Sequence, residues 1–181
     1  MRTTPPTDTG TGSVDVRPPR STDDWHQATA LLHDYVEWLR AAVGVEPLDE
    51  QPAIATELAD LAAVYDGRAA RLFLAFDGPL AVGMVAVRPH DDGTAELKRL
   101  YLRPVARGRG LADRLVEQAV QAAADGGHRA IWLESMRGVM EPALAVYRRH
   151  GFGPAGVDRQ TIVLDGMVVL ERPVEPTPVG R

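Results

Sequence analysis

The sequence predicts an α/β (α+β) domain on a mixed sheet of about seven strands, antiparallel at first and parallel at a central pair, with helices on both faces. Two observations carry this. Between residues 71 and 102 three apolar-rich runs are separated by Asp77-Gly78 and Asp91-Asp92-Gly93, which are hairpin-turn signals, so three antiparallel strands follow one another. The last of these runs, ELKRLYL, then empties through a glycine-bearing turn into a helical stripe and a second short apolar run, a β-α-β unit whose two strands should be parallel neighbours. A length of 181 residues with 45% hydrophobic content suits one domain with a sizeable core.

Taken in order, residues 1–13 hold Thr, Pro, Gly and Ser with almost nothing to bury, and are expected to be a disordered leader to a domain over 14–173. VDVRP alternates as a first strand and stops at Pro18-Pro19. Ser21 or Thr22 caps a helix whose first turn carries Asp23 and Asp24, and Ala28, Leu31, Leu32, Tyr35, Val36 and Leu39 form its buried face through about Ala42. Gly44 and Pro47 end it. Pro52 opens a second helix with Ile54, Leu58, Leu61, Ala62 and Tyr65 as its stripe, finishing at Asp66-Gly67. After the three strands and the glycine turn, Leu111, Leu115 and Ala119 mark a long helix stopped at Asp125-Gly126-Gly127. AIWLE is a strand, Pro142 to His150 a helix closed by Gly151, and two weaker runs at 154–163 and 167–171 suggest a terminal hairpin about Asp165-Gly166. The tail at 174–181 should be loose.

Composition narrows the function. The formal net charge is −5 and no Lys/Arg cluster is flanked by aromatics, so there is no footprint for nucleic-acid binding, and a small-molecule partner is expected. With no cysteine, neither a disulfide frame nor a thiolate nucleophile is available. His33, His90, His128 and His150 are too scattered for a metal site, so no metal is expected. No apolar run approaches the roughly 20 residues of a membrane span, and the polar start is unlike a signal peptide, so the expectation is a soluble cytoplasmic protein without a membrane partner.

The turn RGRGLA is where chemistry enters. A strand that ends in a glycine-rich turn and then a helix leaves unpaired backbone N–H groups beside the positive end of a helix dipole, a place for phosphate. A P-loop is excluded because no Lys-Ser or Lys-Thr pair is present. A dinucleotide fingerprint fits poorly, since Asp113 stands where the third glycine belongs and the preceding strands are antiparallel. The spacing that fits is Arg107-x-x-Gly110-x-Ala112. Glycine there lets backbone approach a ligand, and small Ala112 keeps the first helical turn close to it.

ELKRLYLRPVARGRGLADRL, together with AVYRRHGF downstream, resembles the GCN5-related N-acetyltransferase family, whose order of elements also matches from about Val14 to Glu171. The resemblance implies acetyl-CoA as co-substrate. It places the pantetheine arm on backbone groups of Leu100, Tyr101 and Leu102, and the pyrophosphate on the N–H groups of Arg107, Gly108, Arg109, Gly110, Leu111 and Ala112, with Arg107 and Arg109 adding charge at the rim. Tyr147 falls where the family keeps its general-acid tyrosine; a phenol can hydrogen-bond a developing thiolate and protonate it. Glu96 stands in the register of the catalytic glutamate of histone-type members. Glu134, at the end of the next strand, is a second candidate base, and a third reading leaves deprotonation of the amine to water. Met140 departs from the pattern, because many members carry an Asn there that contacts the pantetheine.

Family substrates enter over the first two helices and the terminal hairpin. Asp34 and Glu37 would suit a cationic amine and Trp38 would stack on it, whereas Arg99, Arg137, Arg148 and Arg159 would suit a carboxylate. The reading is direct acetyl transfer to the primary amine of a small molecule or amino-acid derivative. Transfer to a protein N-terminus or lysine, and a non-catalytic acyl-CoA binding or sensing module, stand as alternatives, and pairing into a homodimer is left open.

Overall fold

The computed structural model describes residues 14–44, 46–47, 51–67, 70–156 and 164–177. One seven-stranded sheet runs in the order β1-β2-β3-β4-β5-β7-β6. Its strands are β1 (Val14–Arg17), β2 (Arg71–Asp77), β3 (Leu80–Pro89), β4 (Thr94–Leu102), β5 (Ala130–Met136), β6 (Gly153–Pro154) and β7 (Met167–Pro173). Among the described residues only β4 and β5 pair in parallel; the other neighbours are antiparallel.

Strand alternation builds two cores. Phe73 and Ala75 of β2 and Val85 and Val87 of β3 face one way, while Leu72, Leu74, Met84 and Ala86 face the other. Helices α4 (Leu111–Asp125) and α5 (Glu141–Arg149) cover the first face through Leu111, Leu115, Val116 and Leu144. Helices α1 (Thr22–Val43), α2 (Ala53–Ala59) and α3 (Leu61–Tyr65) cover the second through Leu31, Leu32, Ile54 and Leu61. No helix among the described residues is long and apolar enough to cross a membrane.

Local signals set most boundaries. Ser21 Oγ accepts from the Asp24 N–H at 3.1 Å to start α1, and Gly44, at φ 77°, ends it with its N–H on Arg40 O. The single helix expected over 52–65 is two. Asp60 leaves helical geometry (φ −158°, ψ 88°) and its carboxylate accepts from the Ala63 N–H at 2.9 Å, so a side chain in the middle of the expected helix acts as a cap for α3. Most of the strand expected over 154–163 lies outside the described residues; its visible start, β6, pairs with β7. The tail expected to be loose is tied down as far as Thr177: the N–H groups of Val174 and Thr177 donate to Arg129 O and Ala124 O at 3.1 and 3.0 Å. The leader, residues 1–13, lies outside the described residues.

Candidate active site

The sheet opens at its parallel pair. β4 and β5 are in register only at Thr94 with Ala130, Ala95 with Ile131 and Glu96 with Trp132. Beyond Glu96, β4 stays with β3 to Leu102 and β5 stays with β7 to Met136. Two central strands that separate while each keeps its outer neighbour expose inner backbone edges to whatever lies between them. The gap is part of a cleft of about 570 Å³ walled by β4, β5, α1, α5 and the start of α4.

The glycine turn forms one end of this cleft. After the 3-10 turn Pro104–Ala106, Gly108 and Gly110 both sit at φ 74°, where a side chain would be strained, and a Cβ at either would meet no atom within 4 Å. Gly110 starts α4 without a side-chain cap, so the first N–H groups of α4 have no partner from the helix or a cap. Conformation rather than crowding requires glycine here, and the open space above both residues is the room a phosphate needs.

Of the residues expected at the cofactor, Leu100, Tyr101, Leu102, Arg107, Gly108, Gly110, Leu111 and Ala112 line the cleft. Arg107 folds back so that Nε donates to Leu102 O at 3.1 Å. Arg109 is not among the lining residues; its Nη1 donates to the Asp77 carboxylate at 2.5 Å, which fastens the turn to the end of β2.

Tyr147 lies on α5, lines the cleft and is buried, with its ring centroid 5.8 Å from that of Phe152. Burial, with Tyr35 adding to it, pushes its phenol well above the ordinary value of 10.0, so it remains protonated at neutral pH. Met140 precedes α5 and lines the same cleft, with Ser135 Oγ 3.6 Å from its sulfur.

Both candidate bases line the cleft. Glu96 is buried, its Oε1 held by Lys98 Nζ at 2.6 Å and its Oε2 by His90 Nε2 at 3.1 Å. Glu134 stands two residues beyond the last β4–β5 pair and is half-buried. Of Asp34, Glu37 and Trp38, only Trp38 lines the cleft, where it packs with Tyr35 and Tyr101 at centroid separations of 6.1 and 6.4 Å. Asp34 instead accepts from Arg103 Nε at 2.8 Å, and Glu37 pairs with Arg40 one turn along its own helix. Two flexible carboxylates on an outer helix face found nearer cations than the cleft.

A buried ion pair on β4 was not legible in the sequence. Arg99, expected to meet a carboxylate of the substrate, lines the cleft but is buried and paired with Glu57 of α2 at 2.7 Å, and its Nη1 donates to Gln51 Oε1, another lining residue, at 2.6 Å. The available signal was a glutamate within an apolar helical stripe and an arginine within an apolar strand, each of which needs a partner if buried.

A sequence model of the acetyltransferase (GNAT) family matches residues 29–152. An uncharacterised N-acetyltransferase of Schizosaccharomyces pombe is 37% identical over 73 residues, which cover 40% of this chain and 44% of that protein. N-acetyltransferase 8F1 of Rattus norvegicus is 29% identical over 139 residues, covering 73% of this chain and 62% of the rat protein. The chain thus spans between 44% and 62% of the length of these curated relatives. The PaiA N-acetyltransferase of Thermoplasma acidophilum, solved in complex with coenzyme A, superposes with a TM-score of 0.68 at 18% identity, covering 89% of this chain and 99% of that one; at that identity the likeness is one of fold.

Proposed function

Since the chain belongs to the acetyltransferase (GNAT) family, we propose that it is an acetyl-CoA-dependent N-acetyltransferase, acting directly on the primary amine of a small molecule or amino-acid derivative in the cytoplasm. The observation that carries this reading is the parting of β4 and β5 beside an uncapped, glycine-led helix start, with Tyr147 on the same cleft. When bound, acetyl-CoA supplies an activated acyl thioester.

The chain's own residues supply the rest. Gly108, Gly110, Leu111 and Ala112 offer backbone N–H groups to the pyrophosphate, and the β4 edge at Leu100, Tyr101 and Leu102 offers its backbone to the pantetheine arm. Arg107 adds positive charge at the rim, and Arg109 acts indirectly by bracing the turn on Asp77. Tyr147 holds a proton at its hydroxyl for the departing sulfur. Glu96 and Glu134 compete for the amine's proton; Glu96 is already engaged by Lys98 and His90, which holds its carboxylate in place. Tyr35 and Trp38 present ring faces for the body of the acceptor.

The test is release of free thiol from acetyl-CoA in the presence of a panel of small amines and amino-acid derivatives, with the acetylated product identified by mass. Thiol release that depends on the amine and yields an N-acetyl product supports the reading. Binding of acetyl-CoA with no turnover on any amine would replace it with a non-catalytic binding module.

A further inference from the structure

β4 is the strand in which alternation breaks. Ala95 and Leu97 lie in the core under α4 and α5, and uninterrupted alternation would carry Arg99 and Tyr101 into that same apolar core. Instead Leu100 and Leu102 pack against it, while Tyr101 belongs to the core under α1–α3. The phase changes at a bulge. Ala86 of β3 faces Lys98 and Met84 faces Tyr101, so Val85 alone stands opposite both Arg99 and Leu100. Arg99 takes up the bulge at φ 57°, the only non-glycine residue with a positive φ among the described residues.

What holds an arginine in that conformation is on the α1–α3 side. Nε and Nη2 of Arg99 donate to Glu57 Oε2 and Oε1 at 2.7 and 3.1 Å, with the two side chains 3% and 2% exposed. Glu57 Oε1 also accepts from the Tyr65 hydroxyl at 3.0 Å. A flattened β4 would swing the guanidinium away from this carboxylate and into apolar packing, so the pair and the left-handed residue stand or fall together. The bulge lies just beyond the last β4–β5 pair, and Arg99 lines the cleft together with its flanking residues Lys98 and Leu100.

We infer that Glu57, with Tyr65 behind it, is a positioning residue: by holding Arg99 it fixes the β4 bulge, and so the strand edge that the cleft presents to the acyl group. The functional part of this rests on the acetyl-transfer reading. The test compares two double variants that remove the ion pair without leaving a buried charge. Glu57→Gln/Arg99→Gly permits positive φ, and Glu57→Gln/Arg99→Val disfavours it. The glycine variant is expected to turn over at least tenfold faster than the valine variant, with CoA affinity similar in the two because the glycine turn is untouched. Independently of turnover, the amide shifts of Lys98, Leu100 and Tyr101 should stay near their wild-type values with glycine and move with valine. Equal turnover and equal shifts in the two variants would overturn the inference.

Tyr65→Phe, which removes one hydrogen bond from Glu57, repeats the reading in a chain with its ion pair intact. It should lower kcat severalfold and move the same amide shifts, whereas a lower melting temperature alone would assign the cluster a purely structural role and overturn the inference. If the wild type turns over no amine, the proposed activity fails, and the amide shifts still decide whether Glu57 holds the bulge.

Discussion

At the scale of single residues, function depends on which side chains the cleft keeps and which it loses to local partners. Tyr147 is kept, and its raised phenol pKa suits a group that must stay protonated until a thiolate forms. Tyr147→Phe is expected to lower kcat by about 100-fold while changing acetyl-CoA affinity little, as measured by thiol release and calorimetry. Asp24 shows the opposite use of charge. Hydrogen bonding by Arg17, outweighing burial, and support from the Arg20 N–H hold its carboxyl below the ordinary 3.8. Its stabilising contribution is therefore complete above the unfolded value and is lost as pH falls through the lower folded value. Asp24→Asn should lower the melting temperature at pH 7, and the difference from wild type should shrink as the pH is taken to 3 and below. The placement of Tyr147, Gly108 and Gly110 on one cleft was legible in the sequence because it depends on local spacing within a strand–turn–helix and a helix. The destinations of Asp34, Glu37 and Arg109 were not, because a long or exposed charged side chain takes the nearest partner, and Arg103, Arg40 and Asp77 became neighbours only on folding.

At the scale of elements, the strand–turn–helix from β4 to α4 carries the most consequence. Gly110 is required for its backbone conformation, while Arg109 faces Asp77. Gly110→Val should weaken acetyl-CoA binding by tenfold or more in a calorimetric titration, whereas Arg109→Ala should cost only a fewfold loss. Equal losses would mean that the Arg109 side chain matters as much as the backbone at 110, contrary to an indirect bracing role. The turn was readable because glycine spacing and the strand before it are contiguous. The β4 bulge was not, because it answers to Glu57, 42 residues away. The break at Asp60 lies between: an aspartate inside a helical run can cap in sequence, but its non-helical backbone and its hydrogen bond from the Ala63 N–H show that it is used.

At the scale of the whole molecule, a mixed sheet covered on both faces turns one parallel pair into a cleft. The antiparallel run and the β-α-β unit were legible from turn signals and periodicity, which is why the parallel pair was expected at β4 and β5. That β7 lies beside β5 is a long-range pairing with no local signature, and it keeps β5 hydrogen-bonded as far as Met136, four residues beyond its last pair with β4. This opening, with the helix start beside it, is the proposed coenzyme A site, and the melting temperature of the full chain as acetyl-CoA is raised, with Gly110→Val alongside, tests it. A ligand that binds only the native state adds about 2.7 kcal/mol at a hundred times its Kd. The wild type should therefore show a rise that continues with the logarithm of acetyl-CoA concentration, and the variant a distinctly smaller one at the same concentrations. No rise in the wild type, or the same rise in both, would rule out coenzyme A binding at this opening.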